Sequence, residues 1–122
     1  MAAGVPDGYI ESEIARINIF RTLSRIASEE RLQDFQLELA DRYGKLPPET
    51  ENLLALTLLK ILTAKAGFSS LTVLENRVIL RKRASDTYRI NGLLPRLKID
   101  DTPENKLKSL LRIVRLAGLE NY

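Results

Sequence analysis

Glu38, Asp41 and Arg42 stand at i, i+3 and i+4, a spacing that gathers two carboxylates and a guanidinium on one face of a helix. Such a trio is either a solvated face with a local ion pair or a charged docking patch for another protein. Acids near the C-terminal end of a helix oppose its dipole, which hints at a use other than helix stability. A second cluster, Arg77, Arg81, Lys82, Arg83, Arg89, Arg96 and Lys98, is the candidate for nucleic-acid contact, because hairpins can lay Lys and Arg along a phosphate backbone. Tyr88 is the one aromatic among them, so base stacking has little to use. Cationic side chains also protect edge strands from aggregation, so both readings of this cluster stay open.

The remaining residue types exclude most other chemistry. The chain has no His and no Cys, which removes the commonest general base, the commonest transition-metal ligand, thiolate nucleophiles and disulfides. Catalysis would have to run on carboxylates, Lys or Tyr. The six glycines fall in no phosphate-binding frame, so no nucleotide or other cofactor is expected in this chain. Asp100-Asp101 could be taken for a metal pair, but both precede a helix start where acids favour the dipole, and capping is the better reading. The expectation is a non-catalytic interaction module without a metal site.

Length and composition fit that expectation. A chain of 122 residues with 44% apolar and 29% charged residues is ordinary globular material with enough length for one core. No apolar run reaches the roughly 20 residues that span a bilayer, and no export signal opens the chain. A soluble, bacterial cytoplasmic protein with no membrane partner is expected. Net charge is +3, split unevenly: residues 1–61 hold 7 Lys/Arg against 10 Asp/Glu, and residues 62–122 hold 12 against 6. Residues 1–4 read as a disordered lead and 5–122 as a single domain.

The elements that must position these side chains follow from caps and periodicity. Val5-Pro6-Asp7-Gly8 is a turn, with Tyr9-Ile10 extended after it. Ser12 caps a first helix whose apolar residues recur at spacing three, Ile14, Ile17, Phe20, Leu23 and Ile26, with Ile10 and Ile19 widening the stripe enough to touch neighbours on two sides. Ser28 caps a second helix with Leu32, Phe35, Leu39 and Tyr43 inward and Gly44 at its end. Pro48 opens a third, apolar nearly all round from Leu53 to Ala66, ended by Gly67. The period then changes: Leu71–Leu74 and Val78–Leu80 read as an antiparallel hairpin, Leu97–Ile99 as a third strand, and Ser85–Leu94 as one short helix closed by Pro95. Thr102 caps a last helix with Leu107, Leu110, Leu111, Val114 and Ala117 inward, closed by Gly118. Helices, then a small antiparallel sheet of about three strands with a C-terminal helix packed on it, is an α+β fold.

Glu38-Leu39-Ala40-Asp41-Arg42-Tyr43-Gly44-Lys45-Leu46-Pro47-Pro48-Glu49 resembles the most distinctive stretch of one family. That family is the C-terminal (TRCF) domain of the bacterial transcription-repair coupling factor, Mfd, where the pattern is close to E-L-x-D-R-[FY]-G-x-L-P-x-E. Pro6-Asp7-Gly8-Tyr9-Ile10 resembles the same domain's opening P-x-x-Y-I, and the likeness is close over about residues 5–82. The resemblance implies a regulatory piece of a larger ATP-driven DNA translocase in transcription-coupled DNA repair. ATP and Mg, DNA and RNA polymerase would be bound by other parts of that parent. The terminal domain would dock intramolecularly on a UvrB-like module, masking the surface that binds UvrA and restraining the motor, with Glu38, Asp41 and Arg42 as the docking residues. The alternative is an accessory nucleic-acid-binding domain using Arg77, Arg81, Lys82 and Arg83.

Overall fold

The computed structural model describes residues 1–82 and 86–120. The chain divides into two compact units, Met1–Ile61 and Leu62–Tyr122. The division falls where the sequence charge changes sign, so unit 1 carries the acidic excess and unit 2 the basic one.

Unit 1 is built from α1 (Glu13–Arg25), α2 (Glu29–Tyr43) and most of α3 (Pro48–Lys65). Ser12 and Ser28 cap α1 and α2 as anticipated: their hydroxyls accept from the Ala15 amide at 3.2 Å and the Arg31 amide at 3.1 Å. Each satisfies a donor that the first helical turn leaves unpaired, an interaction typically worth about 1 kcal/mol. The core joins Ile10, Ile19, Leu23, Leu32, Phe35, Leu39, Leu46, Leu54 and Ile61.

The spacing-three stripe of α1 is not its buried face. Ile19 and Leu23 are buried, whereas Ile14, Ile17 and Phe20 are exposed. Each step of three residues falls about 60° short of a full turn, so the stripe winds halfway round the helix between Ile14 and Leu23. Only the side toward the unit's core could be covered. The lead also departs from expectation. The Gly4 amide donates to the Glu49 carbonyl at 3.0 Å, the buried Thr50 hydroxyl donates to the Gly4 carbonyl at 3.0 Å, and Asn52 Nδ2 donates to the Ala2 carbonyl at 2.9 Å. Residues 2–4 thus tie to the start of α3 through the Glu49 carbonyl and the Thr50 and Asn52 side chains, partners that apolar packing would not supply. Tyr9 and Ile10 are wound rather than extended, both amides donating to the Pro6 carbonyl.

Unit 2 holds β1 (Ser70–Leu74), β2 (Arg77–Arg81) and α4 (Pro103–Glu120). The strands pair antiparallel with Leu74 opposite Arg77 and Ser70 opposite Arg81. That register leaves a two-residue turn, Glu75-Asn76, with φ of 50° and 61°, the left-handed pair whose twist matches the strands. The Asn76 side-chain oxygen accepts from Lys106 Nζ at 2.9 Å and its carbonyl from the Leu97 amide at 2.8 Å, pinning the turn. Val78 and Leu80 are fully buried, each burial worth about 1.5–3 kcal/mol.

The sheet has two strands, not three. The expected third strand, Leu97–Ile99, does not form: the bridge to β2 lies one residue earlier, at Arg96 opposite Arg77, and Ile99 is left exposed. Of the short helix expected over Ser85–Leu94, Ser85 lies outside the described residues and the rest is irregular, with Thr87 opposite Arg81 and Ile90 opposite Leu93. The reason is Asn91-Gly92, both at positive φ (51° and 80°), a tight turn that no helix accommodates. At the start of α4 the Thr102 hydroxyl accepts from the Asn105 amide at 3.1 Å, and Asp101 Oδ1 accepts from Asn105 Nδ2 at 3.3 Å, so this acid serves the helix start. Gly118 does not close the helix. α4 runs on to Glu120, and a Cβ at position 118 would lie 3.3 Å from the Ala66 methyl, so glycine here permits close approach rather than termination.

Candidate functional site

The last two turns of α2 carry the Glu38, Asp41 and Arg42 trio, and all three side chains are exposed. Leu32, Phe35 and Leu39 bury the opposite side of the helix, so the amphipathic pattern itself turns the charges outward. Glu38 pairs with Arg31, seven residues earlier and outside the predicted trio, at 3.3 Å. The local Glu38–Arg42 pair is not what forms. The Arg42 guanidinium lies over the Tyr43 ring, 5.4 Å from its centroid, an attraction between cation and ring face.

The end of α2 is fixed from outside the helix. Gly44 terminates it at φ 90°, ψ −170°, a conformation almost reserved for glycine, and its amide donates to the Ala40 carbonyl at 2.9 Å. The Tyr9 hydroxyl donates to the Gly44 carbonyl at 2.8 Å and approaches the Leu39 carbonyl at 3.3 Å. Burial, and then the neighbouring Tyr43, push the Tyr9 hydroxyl above its usual range, so it stays a donor. Its ring packs at a tilt against Tyr43, centroids 6.0 Å apart. Arg16 Nη1 holds the segment from the other side, donating to the Ile10 carbonyl at 2.6 Å and the Glu11 carbonyl at 2.9 Å. The two sequence stretches that carry the family resemblance, around Tyr9 and around Gly44, therefore meet in space.

Glu38 and Arg42 also border a shallow groove of about 250 Å³ between α1 and α2, with Asn18 and Thr22 on its far wall. The sequence reading missed Asn18, Thr22 and Arg31. The available signal was polar residues at i and i+4 beside the buried positions of α1, which only the true orientation of that helix makes meaningful.

The second predicted cluster is divided by strand geometry. Arg77 and Arg81 lie on the exposed face of β2, while Val78 and Leu80 face inward. Lys82 is half-buried beyond the strand and lines a separate hollow with Phe68, Asp86 and Tyr88. Arg83 lies outside the described residues. Nearby, Tyr88 donates to Glu120 at 2.6 Å. Burial first, then that bond and the charge of Glu120, push its hydroxyl to about 12. Among the described residues no group of three His, Cys, Asp or Glu is placed to hold a metal ion, and no helix is long and apolar enough to cross a membrane.

This arrangement of helices, hairpin and closing helix is that of a solved domain, the crystal structure of a C-terminal domain of transcription-repair coupling factor. The TM-score is 0.78 over 98% of this chain and 88% of that one, and at 21% identity the likeness speaks for the fold alone. The sequence profile of the TRCF domain matches residues 1–93, and the chain belongs to the TRCF domain family. Relatives include the transcription-repair-coupling factors of Myxococcus xanthus, 32% identical over 88% of this chain, and of Rickettsia prowazekii, 28% identical over 90%. The chain spans 9% and 10% of those two proteins.

Proposed function

We propose that this domain is a non-catalytic regulatory clamp. It docks through Glu38, Asp41 and Arg42 on a UvrB-like module of its own parent protein, masks the surface that binds UvrA and restrains an ATP-driven motor. RNA polymerase, DNA and ATP with Mg would be engaged by other parts of that parent, in the bacterial cytoplasm. The observation that carries the reading is the exposed trio on a helix end held rigid by Tyr9 and Gly44, within the run that the TRCF domain family shares. A fixed helix end presents its charges at low entropic cost to a partner. Charged contacts at a rim steer association and add modest affinity, which suits a clamp that must open.

The test is charge reversal in the full-length coupling factor. With E38K and D41K combined, UvrA binding and ATPase activity both rise. If both stay at the wild-type level while the domain's melting curve is unchanged, the docking assignment is wrong.

A further inference from the structure

The outward face of the β1–β2 ribbon holds a set of arginines that fold stability does not explain. Strand alternation places Arg77, Ile79 and Arg81 on that face, and the register adds Ser70, Thr72 and Leu74 from β1. Arg96 stands directly opposite Arg77 on the other side of β2. Like charges opposed across strands are unfavourable, and here two guanidinium groups share one face with a third four residues along. Among the described residues none of the three forms an ion pair, although Glu75 and Asp86 are close in sequence.

The usual reason for cationic strands fails here. Arg and Lys blunt an edge by discouraging further pairing, but β2 is not an edge. Its backbone is bonded to β1 on one side. On the other, the Val78 amide donates to the Pro95 carbonyl, the Tyr88 amide to the Leu80 carbonyl and the Leu97 amide to the Asn76 carbonyl.

We propose that this face, through Arg77, Arg81 and Arg96, contacts the phosphodiester backbone of double-stranded DNA without reading its sequence. Charge complementarity is the argument for that occupant. Unit 2 holds 12 Lys/Arg against 6 Asp/Glu, and a duplex carries one negative charge per about 1.7 Å of axis. Four ladder steps set Arg77 and Arg81 about 13 Å apart along the strand, and Arg77 and Arg96 are cross-strand neighbours, so the three can meet separate phosphates. The Ser70 and Thr72 hydroxyls lie on the same exposed face and suit phosphate oxygens. A single strand fits less well, because binding it relies on aromatic platforms. The one aromatic of this segment, Tyr88, is bonded to Glu120 and packed edge-on to Phe68.

The site lies in unit 2, and its test does not depend on the docking role of Glu38, Asp41 and Arg42. The 122-residue chain is titrated against a fluorescent 20-base-pair DNA duplex by anisotropy between 50 and 200 mM salt, with an RNA duplex and a single strand of equal length as competitors. The R77Q/R81Q/R96Q variant, which keeps most of each side-chain stem, loses at least tenfold in affinity at the lowest salt. The slope of log K against log salt becomes shallower by about 0.9 for each phosphate no longer neutralised. An R77K/R81K/R96K variant keeps most of the wild-type slope, because such a contact needs the charge, and this charge-retaining comparison stands even if the Gln variant unfolds. Equal loss in a charge-matched control, R21A/R25A/K60A, overturns the proposal. So does a duplex affinity that salt does not change, or tighter binding of either competitor.

Discussion

The Tyr9 hydroxyl donates to the carbonyl of Gly44 at 2.8 Å, across 35 residues of sequence. This one bond joins the turn ahead of α1 to the end of α2, the helix that carries the exposed trio.

Tyr9→Phe removes that bond while keeping the ring packed against Tyr43. The expected cost is about 1 kcal/mol, the usual net worth of such a bond, read as a lower urea midpoint with an unchanged m-value. If the α2 end presents the docking charges, the same variant also raises UvrA binding in the full-length protein, by less than charge reversal does.

Gly44→Ala costs more than its size suggests. A Cβ at this position meets nothing within 4 Å, so no clash is created, but φ 90° with ψ −170° is a region that residues with a Cβ scarcely enter. A loss of about 1–3 kcal/mol is expected, nearly equal for Gly44→Ala and Gly44→Ser, because the penalty lies in the backbone. Thermal melts of the two variants check this. A cost that grows with side-chain volume would point to packing instead.

Glu75→Asn should stabilise the hairpin. Glu75 sits at φ 50° in the first position of its turn, where Asn is favoured and Glu is not. A gain of about 0.5–1 kcal/mol is expected, as a higher melting temperature with the strand register unchanged by NMR.

Alkaline pH should weaken unit 2. The Tyr88 hydroxyl is held at about 12, above the value near 10 that the unfolded chain shows. The folded state therefore binds a proton that the unfolded state has lost, and stability falls as pH rises between those values. Below about 10 the contribution is complete. Tyr88→Phe has nothing to lose in that window, so its melting temperature declines less steeply between pH 10 and 12. An identical decline in both proteins would show that the Tyr88–Glu120 bond is not maintained in solution.

How much of this was legible in the sequence depended on how far each feature reaches along the chain. Ser12, Ser28 and Thr102 were readable as caps, and Gly44 and Gly67 as helix ends, because each acts within three or four residues of itself. The α+β order and the exposure of Glu38, Asp41 and Arg42 followed from the same local periodicity. The Asn91-Gly92 turn was equally local and was missed, because apolar residues on either side of it imitate a short helix.

Other features belong to the tertiary structure alone. A stripe at spacing three touches both sides of a helix, so the buried side of α1 was decided by the neighbours packed around Ile19 and Leu23. The charge asymmetry was plain in the composition, but its division between two compact units was not. Tyr9 meeting Gly44 and Arg77 opposing Arg96 join residues 35 and 19 positions apart, distances over which composition and period carry no information. The sequence by itself determined the four long helices, the hairpin and the outward face of Glu38, Asp41 and Arg42. Packing decided which charges stand together, because register and burial are properties of the assembled chain.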